Sequence, residues 1–114
     1  MRINRGDILI VDFEPVKGSE QGGLRPSVVL QNNQGNLFSP LTIVAPVTSK
    51  EFFKEYPTNV FLPKDISKLK KDSTVLLNQI RTIDKRRVRK KICNLNDFYM
   101  KKVEMALRIS LGLD

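Results

Sequence analysis

Residues 15–32 read PVKGSEQGGLRPSVVLQN, and this stretch decides how the rest of the chain is taken. The three glycines of GSEQGG, residues 18–23, predict a flexible loop, since glycine enters left-handed backbone without steric penalty. The loop delivers Lys17, Ser19, Glu20 and Gln21 and ends at Arg25-Pro26, where an apolar, β-branched run predicts a strand over 25–32. Upstream, ILIVDF at 8–13 is a second short β-rich run, closed by Glu14-Pro15.

Working outward, NNQGN predicts a turn, and LTIVAPVT at 41–48 is apolar and β-branched enough for a buried strand. Its Pro46 predicts an edge or a bulge near the strand's end. SKEFFKEY predicts a helical turn before Pro57, TNVFL at 58–62 a strand, and residues 63–72 a lysine-rich loop. STVLLNQIRTID at 73–84 is a long β-rich run, and VRKKICNL at 88–95 alternates apolar and basic residues in part. Only the C-terminal end is strongly helical. Asn96 caps it, Asp97 suits its first turn, Met100, Val103, Leu107 and Leu111 share a face, and Gly112 stops it. Phe13, Phe38, Phe61 and Phe98 are assigned to the core, whereas one of the neighbours Phe52 and Phe53 is expected to face out. Short strands followed by one helix give an α+β fold on a small, strongly bent sheet or barrel, expected as one domain over 1–114.

Composition narrows the chemistry. The 114 residues carry a formal charge of +8, and residues 64–91 alone hold eleven bases against three acids, so this one segment accounts for the net charge. Such a segment suits phosphates or an acidic partner, and equally a solvated face. One cysteine, Cys93, and no histidine leave no disulfide framework, no zinc site, and no Cys/His or Ser/His unit. The N-terminal MRINRGDILIVDF, interrupted by Asp7 and Asp12, fits neither a signal peptide nor a membrane span, and a cytoplasmic protein is expected.

RGDILIVDF, the loop with Arg25-Pro26, FSPLTIVAPVTS at 38–49 and LLNQIRTIDKRR at 76–87 together resemble the MazF/PemK (Kid) family of toxin endoribonucleases, in order and over nearly the whole chain. The resemblance implies an SH3-like β-barrel with a C-terminal α-helix. It implies a homodimer that cuts single-stranded RNA, mRNA above all, at short sequences without metal or cofactor, and is neutralised by an acidic, MazE-like antitoxin. It places the catalytic pair on Arg25 and Thr48, a supporting loop acid on Glu20, substrate contacts on Lys17, Ser19 and Gln21, and a base-reading residue on Gln79. One departure stands out: many relatives carry an acid where this chain has Asn78, so no cleavage sequence carries over.

The residues suit that chemistry. RNA supplies its own nucleophile, the 2′-hydroxyl, so cleavage to a 2′,3′-cyclic phosphate and a 5′-hydroxyl asks of the protein only positive charge, hydrogen bonds and proton transfer. Arg25 offers a fork of donors to phosphoryl oxygens, and Thr48 a hydroxyl. Taken singly, these residues also have ordinary explanations: a surface ion pair for Arg25, a turn for Thr48, a backbone or water contact for Gln79, a solvated acid for Glu20. The competing function is a gyrase-poison-type toxin of the same fold that binds protein and cleaves nothing.

Overall fold

The computed structural model describes residues 1–13 and 23–114. Its strands are β1 (Asp7–Asp12), β2 (Leu24–Val29), β3 (Leu41–Thr48), β4 (Asn59–Leu62), β5 (Ser73–Leu76), β6 (Arg81–Asp84) and β7 (Val88–Asn94). Helices α1 (Asn33–Phe38), α2 (Lys64–Ser67) and α3 (Asp97–Leu111) join them, and a 3-10 turn, Lys85–Arg87, links β6 to β7. All strand pairs are antiparallel, in the order β4-β5-β3-β2-β1-β7, with β6 also on β3.

Strand β3 is the hub. Its Val44–Pro46 segment pairs with β2, while on the other edge β6 takes Leu41–Val44 and β5 takes Val47 and Thr48. Pro46 stands in the gap where one partner gives way to the next. A residue without an N–H is therefore tolerated in a central strand because the ladder on that edge is interrupted there.

Alternation of side chains separates two cores. Val28, Ala45, Val47, Val60, Leu62 and Val75 pack with Met100, Val103 and Ala106 of α3 on one side of the sheet. Leu9, Val11, Phe13, Val29, Val44 and Ile83 form the other core, with Ile3 and Val88. Since Ile83 lies on β6 and Val88 on β7, the sheet curls until strands far apart in its order share apolar contacts. The strand pairs among the described residues do not close it into a barrel.

Several expectations change. The 73–84 run breaks into β5 and β6 around residues 77–80, where the Gln79 N–H donates to Leu76 O at 3.2 Å in a turn. NNQGN opens α1, capped by Asn32, whose side chain accepts from the Gly35 N–H at 2.8 Å, and the lysine-rich loop contains α2. Residues 51–56 form no helix. Phe38, Phe61 and Phe98 are 75%, 57% and 63% exposed, and of these aromatics Phe13 alone is buried. Phe53 is exposed and Phe52 half-buried, as the pair's adjacency predicts. Helix α3 matches at both ends: Asn96 accepts from the Tyr99 N–H at 3.0 Å, and Gly112 takes φ +70°. Its buried stripe is Met100, Val103 and Ala106, with Leu107 at the margin and Leu111 exposed, because the stripe ends a turn before the helix does.

Asp7 ties the first strand down. Almost wholly buried, its carboxylate accepts from the Asn4 N–H at 2.7 Å and from Asn94 Nδ2 at 3.0 Å, and lies 3.2 Å from Lys91 Nζ. Asp7→Ala strands these donors and is expected to cost about 2–3 kcal/mol, read as a lower urea midpoint at unchanged slope. Asp84 caps the 3-10 turn, accepting from the Arg86 N–H at 2.8 Å and from the Arg86 guanidinium at 3.0 and 3.1 Å. The Arg86 side chain holds its carboxyl below the ordinary value of 3.8. With the folded value depressed, the stabilisation is present above the unfolded value and fades as pH falls through the folded one. Carboxyl NMR titration is expected to place Asp84 below an ordinary aspartate, and Arg86→Ala to raise it.

Candidate active site

The β2–β3 register builds the site. Ser27 pairs with Pro46, Val28 with Ala45 and Val29 with Val44. Continuing that register by two residues sets Arg25 opposite Thr48. Across β1 the partner of Arg25 is Val11, and across β5 the partner of Thr48 is Thr74, which faces Phe61 on β4. Val11, Arg25, Thr48, Thr74 and Phe61 thus form one row on one side of the sheet, the side that carries Val29 and Val44 rather than α3.

Arg25 and Thr48 are both half-buried. Thr48 Oγ1 accepts from the Lys50 N–H at 3.1 Å, which orients the hydroxyl and leaves its proton to donate. Gln79 is exposed in the β5–β6 turn, beside the edge of β3 where Pro46 stands. Lys17, Ser19, Glu20 and Gln21 lie outside the described residues. Arg25 begins two residues after Gly23, whose carbonyl accepts from the Phe13 N–H at 3.0 Å, so the ends of the intervening segment are clamped together.

Other cations gather at the end of β1. Arg87 Nη1 donates to Asp12 O at 3.3 Å, Arg89 Nη2 lies 3.1 Å from Asp12 Oδ2, and the Arg81 guanidinium carbon lies 4.6 Å above the centre of the Phe13 ring. In the sequence, Arg81, Arg87 and Arg89 enter only as members of the basic segment, and Phe13 only as a core residue. Cys93 is held away from such chemistry. Its thiol donates to Ser67 O at 3.2 Å, and burial pushes its pKa up.

The profile of the family described as PemK-like, MazF-like toxin of type II toxin-antitoxin system matches residues 4–111. The chain belongs to this family. It is 50% identical to the Endoribonuclease MazF of Staphylococcus saprophyticus over 97% of this chain and 92% of that one. The same fold is seen in MazF of Deinococcus radiodurans, at 30% identity and a TM-score of 0.81 over 99% of both chains. A MazE-MazF structure from the same organism matches at 29% identity and a TM-score of 0.79, over 100% of this chain and 99% of that one. This toxin is accordingly an endoribonuclease, which sets aside the non-catalytic gyrase-poison reading.

Proposed function

We propose that this toxin cuts single-stranded RNA, mRNA in particular, at short sequences and without a metal, using the RNA's 2′-hydroxyl as nucleophile. The site assignment is supported by the β2–β3 register, which, continued two residues beyond its last pair, Ser27 with Pro46, sets Arg25 opposite Thr48. The 2′-oxygen attacks phosphorus, the bond from phosphorus to the 5′-oxygen breaks, and the products are a 2′,3′-cyclic phosphate and a 5′-hydroxyl. Charge builds on the non-bridging oxygens as the fifth bond forms, and the Arg25 fork stabilises it there. Thr48 donates its hydroxyl to the same phosphate. The 2′-proton needs an acceptor, for which Glu20 is the carboxylate in the motif, and the leaving 5′-oxygen takes up a proton in turn.

The remaining assignments follow the same reading. Gln79, exposed beside the β3 edge, reads a base, and Lys17, Ser19 and Gln21 line the substrate path. The protein is one toxin domain over 1–114, supported by the family match to 4–111, with the curled sheet acting as an SH3-like barrel. Exposed Phe98, Met105 and Ile109 lie at seven- and four-residue steps on α3 and support a homodimer. A cognate acidic antitoxin of the MazE kind competes with RNA for the cationic end of β1, a reading supported by the likeness to MazE-MazF structures of Deinococcus radiodurans. An mRNA substrate places the toxin in the cytoplasm; no helix among the described residues is long and apolar enough to cross a membrane.

Arg25→Ala is expected to lower kcat by roughly 10²–10³-fold with the fold intact, Thr48→Ala by roughly tenfold or more, and Arg25→Lys to remain poor because a point charge lacks the fork. Single-turnover cleavage alongside circular dichroism checks all three, and near-normal turnover in either alanine variant would move the site elsewhere. A second measurement tests the nucleophile. Deoxyribose at the single position 5′ of the scissile phosphate removes the attacking hydroxyl and leaves the phosphate contacts. Cleavage is expected to stop while binding persists as competitive inhibition that weakens with salt. Normal cutting at that position would point to attack by water or a side chain.

A further inference from the structure

The Arg81–Phe13 pair is left without a task by the reaction above. Phe13 is 4% exposed, so its ring cannot itself stack on a nucleobase. Arg81 is exposed, and its guanidinium lies over that ring with the carbon 4.6 Å from the centroid. An arginine side chain is ordinarily a mobile stem with a solvated head. Here the head lies over a buried aromatic ring, which restricts its rotamers, while the residue as a whole stays exposed.

The pair's place is fixed by the ladders. Val11 is the partner of Arg25, and Phe13 lies two residues further along β1, with its N–H still bonded to Gly23 O. Phe13 and Arg25 are therefore diagonal neighbours on one side of the sheet, with α-carbons about 7–8 Å apart. Arg81 pairs with Val44, whose side chain shares a core with Phe13, so strand β6 brings the guanidinium to the same side. Resting on the reading that Arg25 engages the scissile phosphate, we propose that Arg81, backed by Phe13, is a stacking platform for the unpaired base of a nucleotide flanking that phosphate. Unpaired bases stack on guanidinium planes as they do on aromatic rings, and a plane already held by a second ring has less freedom to lose on binding. Arg81 is thus a substrate-positioning residue. It acts through the π-face of a base, whereas Gln79 acts through base edges.

The test separates the plane from the charge. A non-cleavable oligonucleotide, with deoxyribose 5′ of the scissile phosphate, carries 2-aminopurine at each flanking position in turn. One position is expected to be quenched on binding wild-type protein, and Arg81→Ala and Arg81→Lys are both expected to abolish that quench. On cleavable RNA both raise KM about tenfold, the factor equivalent to about 1.4 kcal/mol of stacking, with kcat nearly kept. Phe13→Leu, which preserves an apolar core residue, is expected to weaken the quench without removing the charge. If Arg81→Lys instead quenches and binds like wild type, while Arg81→Ala merely lowers the salt slope by about 0.7, the residue is a phosphate contact and the stacking proposal is wrong. Absence of any quenched position would also overturn it. Wild-type cleavage and its loss in Arg25→Ala are measured in parallel, so that cleavage retained while the quench is absent overturns the stacking proposal alone, and lost wild-type cleavage overturns the nuclease reading.

Discussion

Everything in this molecule hangs on the register between β2 and β3. Slipping β2 by one residue against its neighbours would turn Val28 away from the α3 core and Val29 away from the second core, and would carry Arg25 to the far side from Thr48. The register is held from both sides of the sheet at once. Val28 and Ala45 are fully buried on one side and Val29 and Val44 on the other, so a slip would expose apolar surface in two cores together. A fully buried valine is worth about 1.5–3 kcal/mol, and a slip of β2 displaces two of them, Val28 and Val29, at once. The polar pair is thus positioned by apolar neighbours that touch no substrate.

The basic segment looks uniform in sequence and is divided in space. Lys91 neutralises buried Asp7, Arg86 is forked onto Asp84, and Arg87 and Arg89 hold the backbone and carboxylate of Asp12 at the end of β1. Lys85 donates to Asn36 O and pins α1. These cations are tied into the fold, and among them Arg87 and Arg89 fix the end of β1 next to Phe13. Their positive field still acts at a distance, since exposed ion pairs are weak and phosphates compete for them.

Much of this was legible in the chain because local and tertiary demands agree. Residues 41–48 form β3 as expected since their apolar run is buried on both sides, and α3 keeps its expected bounds since Asn96 and Gly112 meet the needs of helix ends wherever the helix packs. The break at 77–80 was hidden because Leu77 and Ile80 keep the run apolar: Leu77 is fully buried within the turn itself, its N–H donating to Thr58 O at 2.9 Å. Phe38, Phe61 and Phe98 misled for the opposite reason, as hydrophobicity says nothing of which side of a small sheet a residue must face. In the site, Arg25 and Thr48 were named through family resemblance. No spacing in sequence encodes that positions 23 apart fall at facing positions of two strands, and only the register, continued by two residues, supplies it.

Pro46 and Ser27, paired across β2 and β3, show how the fold makes room at the site. A proline in mid-strand forfeits a donor, and it sits where β6 has ended and β5 has yet to begin, so that forfeit falls in the gap. The consequence is that β3 changes partner two residues before Thr48, and its last two residues pair with β5. Ser27 is fully buried, and its hydroxyl has no hydrogen-bond partner among the described residues. A buried hydroxyl without a partner costs about 1–3 kcal/mol, which an apolar residue of similar size would avoid. Ser27 lies one pleat from Arg25 on the same side, and Pro46 one pleat from Thr48. Both irregularities therefore fall in the row next to the Arg25–Thr48 pair, where a regular, fully satisfied ladder would have been the more stable choice.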